Sequence, residues 1–216
     1  YLHALFRYNN ALRQRNALLK ADSYVEDSLF EIWEEQMAQY GSYLFEQRQL
    51  FIEKMIPVFE KYYHYLSNGK ESIQLNYLSH HQQYDIKIRL KETREKDKIL
   101  GFSTQGIHKD ELEMLLDGYP IKRVGSQGQN KTFLISLKLA QFNFLSHTHQ
   151  QFPILLLDDI FDKLDTDRVK RILELVSQES FGQIFITDTD REHLNQILSQ
   201  LQQETKIFKV ENGTIC

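Results

Sequence analysis

The sequence predicts an α/β protein: a mostly parallel sheet with helices, joined to a helical arm and a small antiparallel β region. Three observations support this prediction. Apolar residues recur every three or four positions from 29 to 66, which is typical of one long amphipathic helix. After Gly69 the apolar period changes to two, as in strands. From Val124 onward, helical segments alternate with short apolar runs, which indicates parallel strands with right-handed crossovers.

Composition excludes several classes of protein. The 216 residues are 41% hydrophobic and 26% charged, with a net charge of −4, so the chain can bury a core and has no global signature of a nucleic-acid binder. Any basic surface must be local. No run approaches the roughly 18 apolar residues of a membrane span, so we expect no membrane partner. The single cysteine, Cys216, allows no disulfide framework, and we expect a cytoplasmic protein.

Residues 1–70 predict the helical arm. The first 20 residues have mostly helical apolar spacing and carry cations but no acid. An N-cap signal at Asp22-Ser23 precedes the long helix, which should kink at Pro57 and end at Asn68-Gly69. We expect the two helices to pack antiparallel.

Residues 71–123 predict a β-rich connecting region. Apolar and polar residues alternate over 73–77 and again over 84–90, which favours an antiparallel pair of strands. Three further elements are expected: a charged helix with a solvated face at 91–100, a loop at 101–110, and a hairpin at 112–121 that turns at Asp117-Gly118.

Residues 124–216 predict the α/β part. A polar turn spaced by glycines opens into a helix of about 130–146. The elements that follow are a strand at 154–157, a helix at about 165–178, a strand at 183–187, a helix at about 191–203 and a strand at 206–210.

Two features of this part indicate a nucleotide-phosphate site. The turn Gly125-Ser126-Gln127-Gly128-Gln129 stands at a helix start, where free N–H groups and the helix dipole favour an anion. The apolar run 154–157 ends in Asp158 and Asp159, and such a carboxylate pair is costly without a cation or a donor. Mg²⁺ held by one carboxylate, phosphates and water meets that need. Considered alone, the strand fits equally well with two acids that only cap the next helix; the turn favours the phosphate site.

Together these motifs resemble those of the ABC-type ATPases. The turn is similar to their signature motif, residues 155–159 to their Walker B, and residues 161–165 to their D-loop. Transport ATPases usually carry Leu-Ser-Gly-Gly-Gln and a Glu after the Walker B Asp. The Ser-Gln-Gly-Gln variant and Asp159 resemble instead the RecF family of recombination-repair ATPases, relatives of the SMC proteins. Residues 8–20 and 106–112 are also similar to that family, with departures at Ile107, Lys109 and Glu111.

The resemblance implies an ATP-dependent homodimer that sandwiches two ATP molecules. Its cofactor-binding residues in this chain are Ser126, Gln127, Gly128, Gln129 and Asp165. Of these, Ser126 and Gly128 would contact the γ-phosphate held by the opposite subunit, and Asp165 would lie at the dimer seam. Asp158 is the expected Mg²⁺ ligand and Asp159 the general base for the attacking water. The switch histidine of transporters aligns near Asp188, where Thr187 or Thr189 stands in its place.

The chain contains no P-loop of the form G-x-x-x-x-G-K-[ST], which ABC-type ATPases need for their phosphates. Because the family places its P-loop before the matching region, and because the first residue is not Met, we expect the C-terminal portion of a longer ATPase. We expect this portion alone to be inactive and to bind ATP weakly or not at all.

The resemblance further implies DNA binding at single-strand/double-strand junctions, RecO- and RecR-type mediators as partners, and recombinase loading at gapped DNA. The implied context is DNA replication, recombination, repair and the SOS response. The candidates for phosphate contacts are Arg7, Arg13, Arg15 and Lys20; the alternative is that they solvate the helix or pair with acids of the second helix. Two other functions stay open: the ATPase subunit of a membrane transporter, and an SMC-like binding module that does not hydrolyse ATP.

Overall fold

A computed structural model describes residues 1–149, 153–159, 163–178, 181–188, 205–211 and 213–215. The chain forms two compact units. One comprises Tyr1–Pro57 and Gln74–Leu115, and the other comprises Val58–Ile73 and Leu116–Cys216. The division at 70 and 123 stays a prediction. Within the described residues, no helix is both long enough and apolar enough to cross a membrane.

The two helices of the arm form as predicted. α1 spans Leu2–Leu19 and α2 spans Asp27–Ser67. α2 begins four residues after the cap expected at Asp22-Ser23, and it ends where Asn68 and Gly69 adopt φ of 60° and 66°, the left-handed geometry that terminates helices. Arg48 contacts Tyr1 near the start of α1, whereas Glu34 contacts Arg15 near its end. α1 and the first part of α2 therefore run antiparallel.

An apolar cluster holds the first unit together. Its buried members come from α1, α2 and the segments packed on them: Ala4, Tyr8, Ala11, Met37, Leu44, Ile86, Leu90 and Ile107. Full burial of a large apolar side chain contributes about 1.5–3 kcal/mol. The helical spacing of these residues therefore accounts for the α1–α2 pairing.

The predicted strand over 84–90 is wrong. This segment is α3, Ile86–Glu92, and the Asp85 carboxylate caps it by accepting the N–H groups of Lys87 and Ile88 at 3.0 and 3.2 Å. Ile86 and Leu90 are buried while Ile88 is 58% exposed, which is the spacing of a helix face. The first strand, β1 (Ile73–Leu78), is confirmed, but α3 is not its partner.

β1 belongs to a three-stranded sheet in the order β1-β2-β3, with β2 at Glu111–Leu116 and β3 at Tyr119–Pro120. The predicted hairpin is confirmed. Asp117 and Gly118 both have positive φ, 50° and 82°, as a tight two-residue turn requires.

The charged helix expected at 91–100 is α4, Arg94–Leu100. Its solvated face is only partly confirmed, because Arg94 and Asp97 are buried. Both side chains form ion pairs inside the first unit, Arg94 with Glu34 and Asp97 with Arg15.

The second unit contains the α/β elements, which confirms the predicted fold class. They are α5 (Ile121–Val124), α6 (Gln127–His149), β4 (Leu155–Asp158), α7 (Thr166–Val176), β5 (Ile184–Thr187), β6 (Val210–Glu211) and β7 (Thr214–Ile215). β4 and β5 pair in parallel with Asp158 opposite Thr187. The strand expected at 206–210 is reduced to Val210–Glu211, which pairs antiparallel with β7. The helix expected at 191–203 lies outside the described residues.

The β4–β5 pair is buried on one face only. Leu155 and Leu157 are buried, whereas Leu156 is 69% exposed and its register partner Phe185 is 49% exposed. Parallel strands are usually covered on both faces. Among the described residues, this pair is therefore covered on one face only.

Candidate nucleotide-phosphate site

Ser126 fixes the start of α6 through a reciprocal cap. Its hydroxyl oxygen accepts the Gln129 N–H at 3.2 Å, and the Gln129 side-chain oxygen accepts the Ser126 N–H at 2.8 Å. This capping box satisfies two backbone donors at the helix start. Because the Ser126 oxygen accepts from the helix, its O–H remains a donor for an external anion. The N–H groups of Gln127 and Gly128 belong to the first turn, which has no intrahelical acceptors.

Gly128 lies directly against the loop that precedes α7. A Cβ at this position would stand 3.1 Å from the carbonyl oxygen of Lys163, so a side chain there would require the loop to shift by a few tenths of an ångström. Thr132 donates its hydroxyl to the Gly128 carbonyl at 2.8 Å. The turn and the loop thus pack backbone to backbone.

The two carboxylates follow β4 at its C-terminal end and are both exposed. The Thr187 hydroxyl donates to Asp158 Oδ1 and accepts the N–H of Asp159 at 3.1 Å. Asp159 has φ of 46°, so the chain turns sharply there. Neither acid caps α7, because Asp165 is its N-cap and accepts the Arg168 N–H at 2.8 Å.

Lys131, which belongs to neither sequence motif, joins the turn to the strand end that bears the carboxylates. Its ammonium group donates to the Asp159 carbonyl oxygen at 2.9 Å. Lys131 is two positions after the motif, close enough to the helix start to reach the neighbouring strand end. The structure therefore brings Ser126–Gln129, Asp158–Asp159 and the Asp165 loop together on one unit.

Asp158 provides a single carboxylate suited to a hydrated divalent cation. It uses Oδ1 for Thr187 and is otherwise exposed. Among the described residues, no group of three or more His, Cys, Asp and Glu could hold a metal ion. Mg²⁺ needs no such cage, since it is usually bound by one or two carboxylates plus phosphates and waters.

The four candidate cations of α1 and its C-cap, Lys20, divide into two kinds. Arg7, Arg13 and Lys20 are exposed. Arg15 is completely buried and donates to Asp97 at 2.8 Å, to Glu34 at 3.1 Å and to Ser103 at 2.7 Å. Arg15 is therefore not available to DNA, and its pairing with an acid of the second helix is the alternative stated above.

The segment 106–110 packs against α1 through Tyr8, and only Lys109 in it is exposed. His108 Nε2 must donate to the Ser103 carbonyl (3.0 Å), so its Nδ1 accepts the Tyr8 hydroxyl at 2.8 Å. Burial lowers the pKa of His108 and raises the pKa of Tyr8, which favours the neutral form of both. Gly106 has φ of 119°, and a Cβ there would lie 2.3 Å from the Tyr8 oxygen.

Known proteins match the chain over its full length. The "DNA replication and repair protein RecF" of Bacteroides thetaiotaomicron is 56% identical over 215 residues, and that of Phocaeicola vulgatus is 52% identical over 216; the match covers 100% of this chain and 58% of each relative. The solved structure of the recombination mediator protein RecF-ATP in the RecFOR pathway has a TM-score of 0.77 and 30% identity, and the match covers 58% of its length. No protein-family model matches.

These comparisons confirm the predicted resemblance to RecF. The chain spans about 58% of the length of the curated relatives that it matches.

Proposed function

Because this chain is RecF-like from end to end, we propose that it is part of an ATPase that acts in DNA replication and recombinational repair. One observation carries the proposal: a single unit holds the Ser126–Gln129 turn against the loops that bear the two carboxylates, through the Lys131–Asp159 bond and the Gly128–Lys163 contact. A phosphate-binding turn and a metal-binding strand end are the parts that an ABC-type ATPase contributes to two different nucleotides.

The turn serves a nucleotide held by the second subunit of a homodimer. The Ser126 hydroxyl and the N–H groups of Gln127 and Gly128 donate to the γ-phosphate, while Gln129 holds the Ser126 oxygen in place through the capping box. This division is what the resemblance of the turn to the ABC-type signature motif implies.

The carboxylates serve the nucleotide of their own subunit. Asp158 binds Mg²⁺, which neutralises phosphate charge when bound. Asp159 accepts the proton of the attacking water at its carboxylate. Thr187 orients Asp158 through the hydroxyl bond described above, and Asp165 lies at the dimer seam.

DNA phosphates bind Arg7 and Arg13, the exposed candidate cations of α1, and Lys20 at its C-cap. The whole protein acts with RecO- and RecR-type mediators at gapped DNA. Each phosphate contact releases counterions and makes log K fall more steeply with log salt. Reversing the charge of one of these residues should therefore make that negative slope shallower by about 0.9. An unchanged slope removes that residue from the DNA surface.

A mixing experiment tests the shared site in the full-length protein. One variant carries Ser126→Arg, and the other carries a substitution of the P-loop lysine in the remainder of the protein. Each variant alone should lose ATP hydrolysis. An equal mixture forms heterodimers with one intact composite site, and random pairing restores at most about a quarter of the wild-type rate, the value for independent sites.

The matched control mixes the P-loop variant with Ser126→Arg/Asp159→Asn. In the heterodimer of that mixture, one site combines a wild-type P-loop with a wild-type turn. Its P-loop and its residue 159 come from the same subunit, where residue 159 is now Asn, so activity should stay absent. A Ser126→Arg mixture without recovery contradicts the shared site.

A further inference from the structure

One arginine connects the phosphate-binding turn to the loop before α7. The guanidinium of Arg168 donates to the Thr132 hydroxyl of α6 at 2.9 Å and to Glu71 at 2.6 Å. Its Nε lies 3.2 Å from the carboxylate of Asp165. Arg168 and Glu71 are 16% and 12% exposed, so this ion pair is screened far less than a surface pair.

The bonds continue on both sides of the guanidinium. Thr132 donates to the carbonyl of Gly128, inside the turn. Glu71 accepts a hydrogen bond from the hydroxyl of Tyr63 on α2. Burial, and to a smaller extent the nearby Glu71 carboxylate, raise the pKa of Tyr63. A chain of charge-assisted bonds thus ties α2, the turn and the Asp165 loop to one side chain.

This geometry requires arginine. The planar guanidinium presents donors in fixed directions to several acceptors, whereas the lysine ammonium is a compact point charge. A lysine at position 168 can keep an ion pair with Glu71 but cannot also reach Thr132 and Asp165.

We propose that Arg168 is a positioning residue that couples the parts of one subunit that serve the two nucleotides of the dimer. It fixes the Ser126–Gln129 turn, which serves the second subunit's ATP, relative to the loop of Asp165 at the dimer seam. That loop follows Asp158 and Asp159, which serve the subunit's own ATP. It touches neither nucleotide. The inference rests on the proposed function, and its consequence is that hydrolysis at the two sites of the dimer is cooperative.

The test measures ATP hydrolysis by the full-length protein against ATP concentration. Arg168→Gln should lower kcat about tenfold, on the scale known for coupling networks, and reduce the Hill coefficient to about 1. KM should change less than about twofold, because Arg168 makes no contact that binds ATP. Arg168→Lys should recover part of kcat without restoring the Hill coefficient.

Arg171→Gln is the matched control. Arg171 lies on the next turn of α7 and donates to the Tyr65 carbonyl at 3.2 Å, away from the turn. This variant should keep the wild-type kcat and Hill coefficient. If circular dichroism shows that Arg168→Gln does not fold, Arg168→Lys decides the question through its Hill coefficient.

The outcomes separate the two claims. The role of Arg168 is overturned, and the proposed function left intact, if the wild-type protein itself has a Hill coefficient of about 1. Wild-type cooperativity in Arg168→Gln or in a folded Arg168→Lys has the same meaning. Equal losses in the Arg168 and Arg171 variants also overturn it, because they show general destabilisation. A wild-type protein that neither hydrolyses ATP nor self-associates with it overturns the proposed function as well.

Discussion

Replacing Arg15 with methionine should destabilise the first unit severely. The side chain is completely buried and forms ion pairs with Glu34 and Asp97. Methionine keeps the apolar stem of the side chain but not the guanidinium, so the substitution removes the charge while preserving most of the packing of the stem. Breaking a buried ion pair from one side costs about 3–5 kcal/mol, because the remaining charge stays buried without its partner.

The surrounding bonds set the magnitude within that range. Glu34 keeps Arg94, which donates at 2.6 and 2.9 Å. Asp97 keeps only neutral donors, from Thr93 and Thr104, and forms no other ion pair among the described residues. One of the two acids therefore stays compensated, and we expect a loss of about 3 kcal/mol.

Urea unfolding followed by circular dichroism measures this loss. With a slope of about 2 kcal/mol per molar urea, the midpoint should fall by about 1.5 M. Arg13→Met on the exposed side of α1 is the control, and its unfolding free energy should change by less than about 0.5 kcal/mol. DNA affinity should show the opposite order, falling with Arg13→Met only. A midpoint shift for Arg15→Met no larger than that of the control refutes the reasoning.

Three further predictions concern the two units separately. Asp159→Asn in the full-length protein should keep ATP binding and lose turnover by about 10²-fold or more; unchanged turnover in a rapid-quench assay removes Asp159 from the mechanism. Gly106→Ala should cost about 2 kcal/mol or more in urea unfolding, since the left-handed backbone and the Tyr8 oxygen both oppose a Cβ, and equal stability contradicts the packing. Because burial lowers the folded-state pKa of His108, the unfolded state binds the proton more readily, so stability should fall as the pH drops below about 6.5; His108→Gln should weaken this dependence, and an identical pH profile argues against the Tyr8–His108 bond.

Sequence periodicity locates the long elements well but fails where two periods coincide. Ile86 and Leu90 are four positions apart, which suits both a strand and a helix. The Asp85 cap and the exposure of Ile88 decide for the helix. An Asp before a short apolar segment is itself a signal of a helix start. When periodicity alone is considered, the alternation of apolar and polar residues outweighs that signal and favours a strand.

Charge patterns show the same weakness. Arg15 lies in a series with Ala4, Tyr8, Ala11 and Leu19 that forms one face of α1. That spacing places it in the core, and its ion pairs with Glu34 and Asp97 explain why a cation is stable there. Those acids are 19 and 82 positions away along the chain, so no local pattern reveals them.

The site is predictable to the extent that its parts are contiguous. Ser126–Gln129 and Asp158–Asp159 are readable as motifs. Arg168 and Glu71 are 97 positions apart, and their pairing depends on how α7 packs beside the end of α2. Long-range ion pairs of this kind follow from the fold and leave no spacing in the sequence.

The capping box at Ser126 has a thermodynamic consequence for any anion that binds there. The conformational entropy of the turn is lost when the protein folds, since Ser126 and Gln129 already hold each other. The donors are therefore preorganised, and binding does not have to order a loop. Dissolving the box with Gln129→Ala should leave the same donors present but make their binding of phosphate more costly in entropy, a difference that calorimetry resolves as a change in the heat and entropy of association.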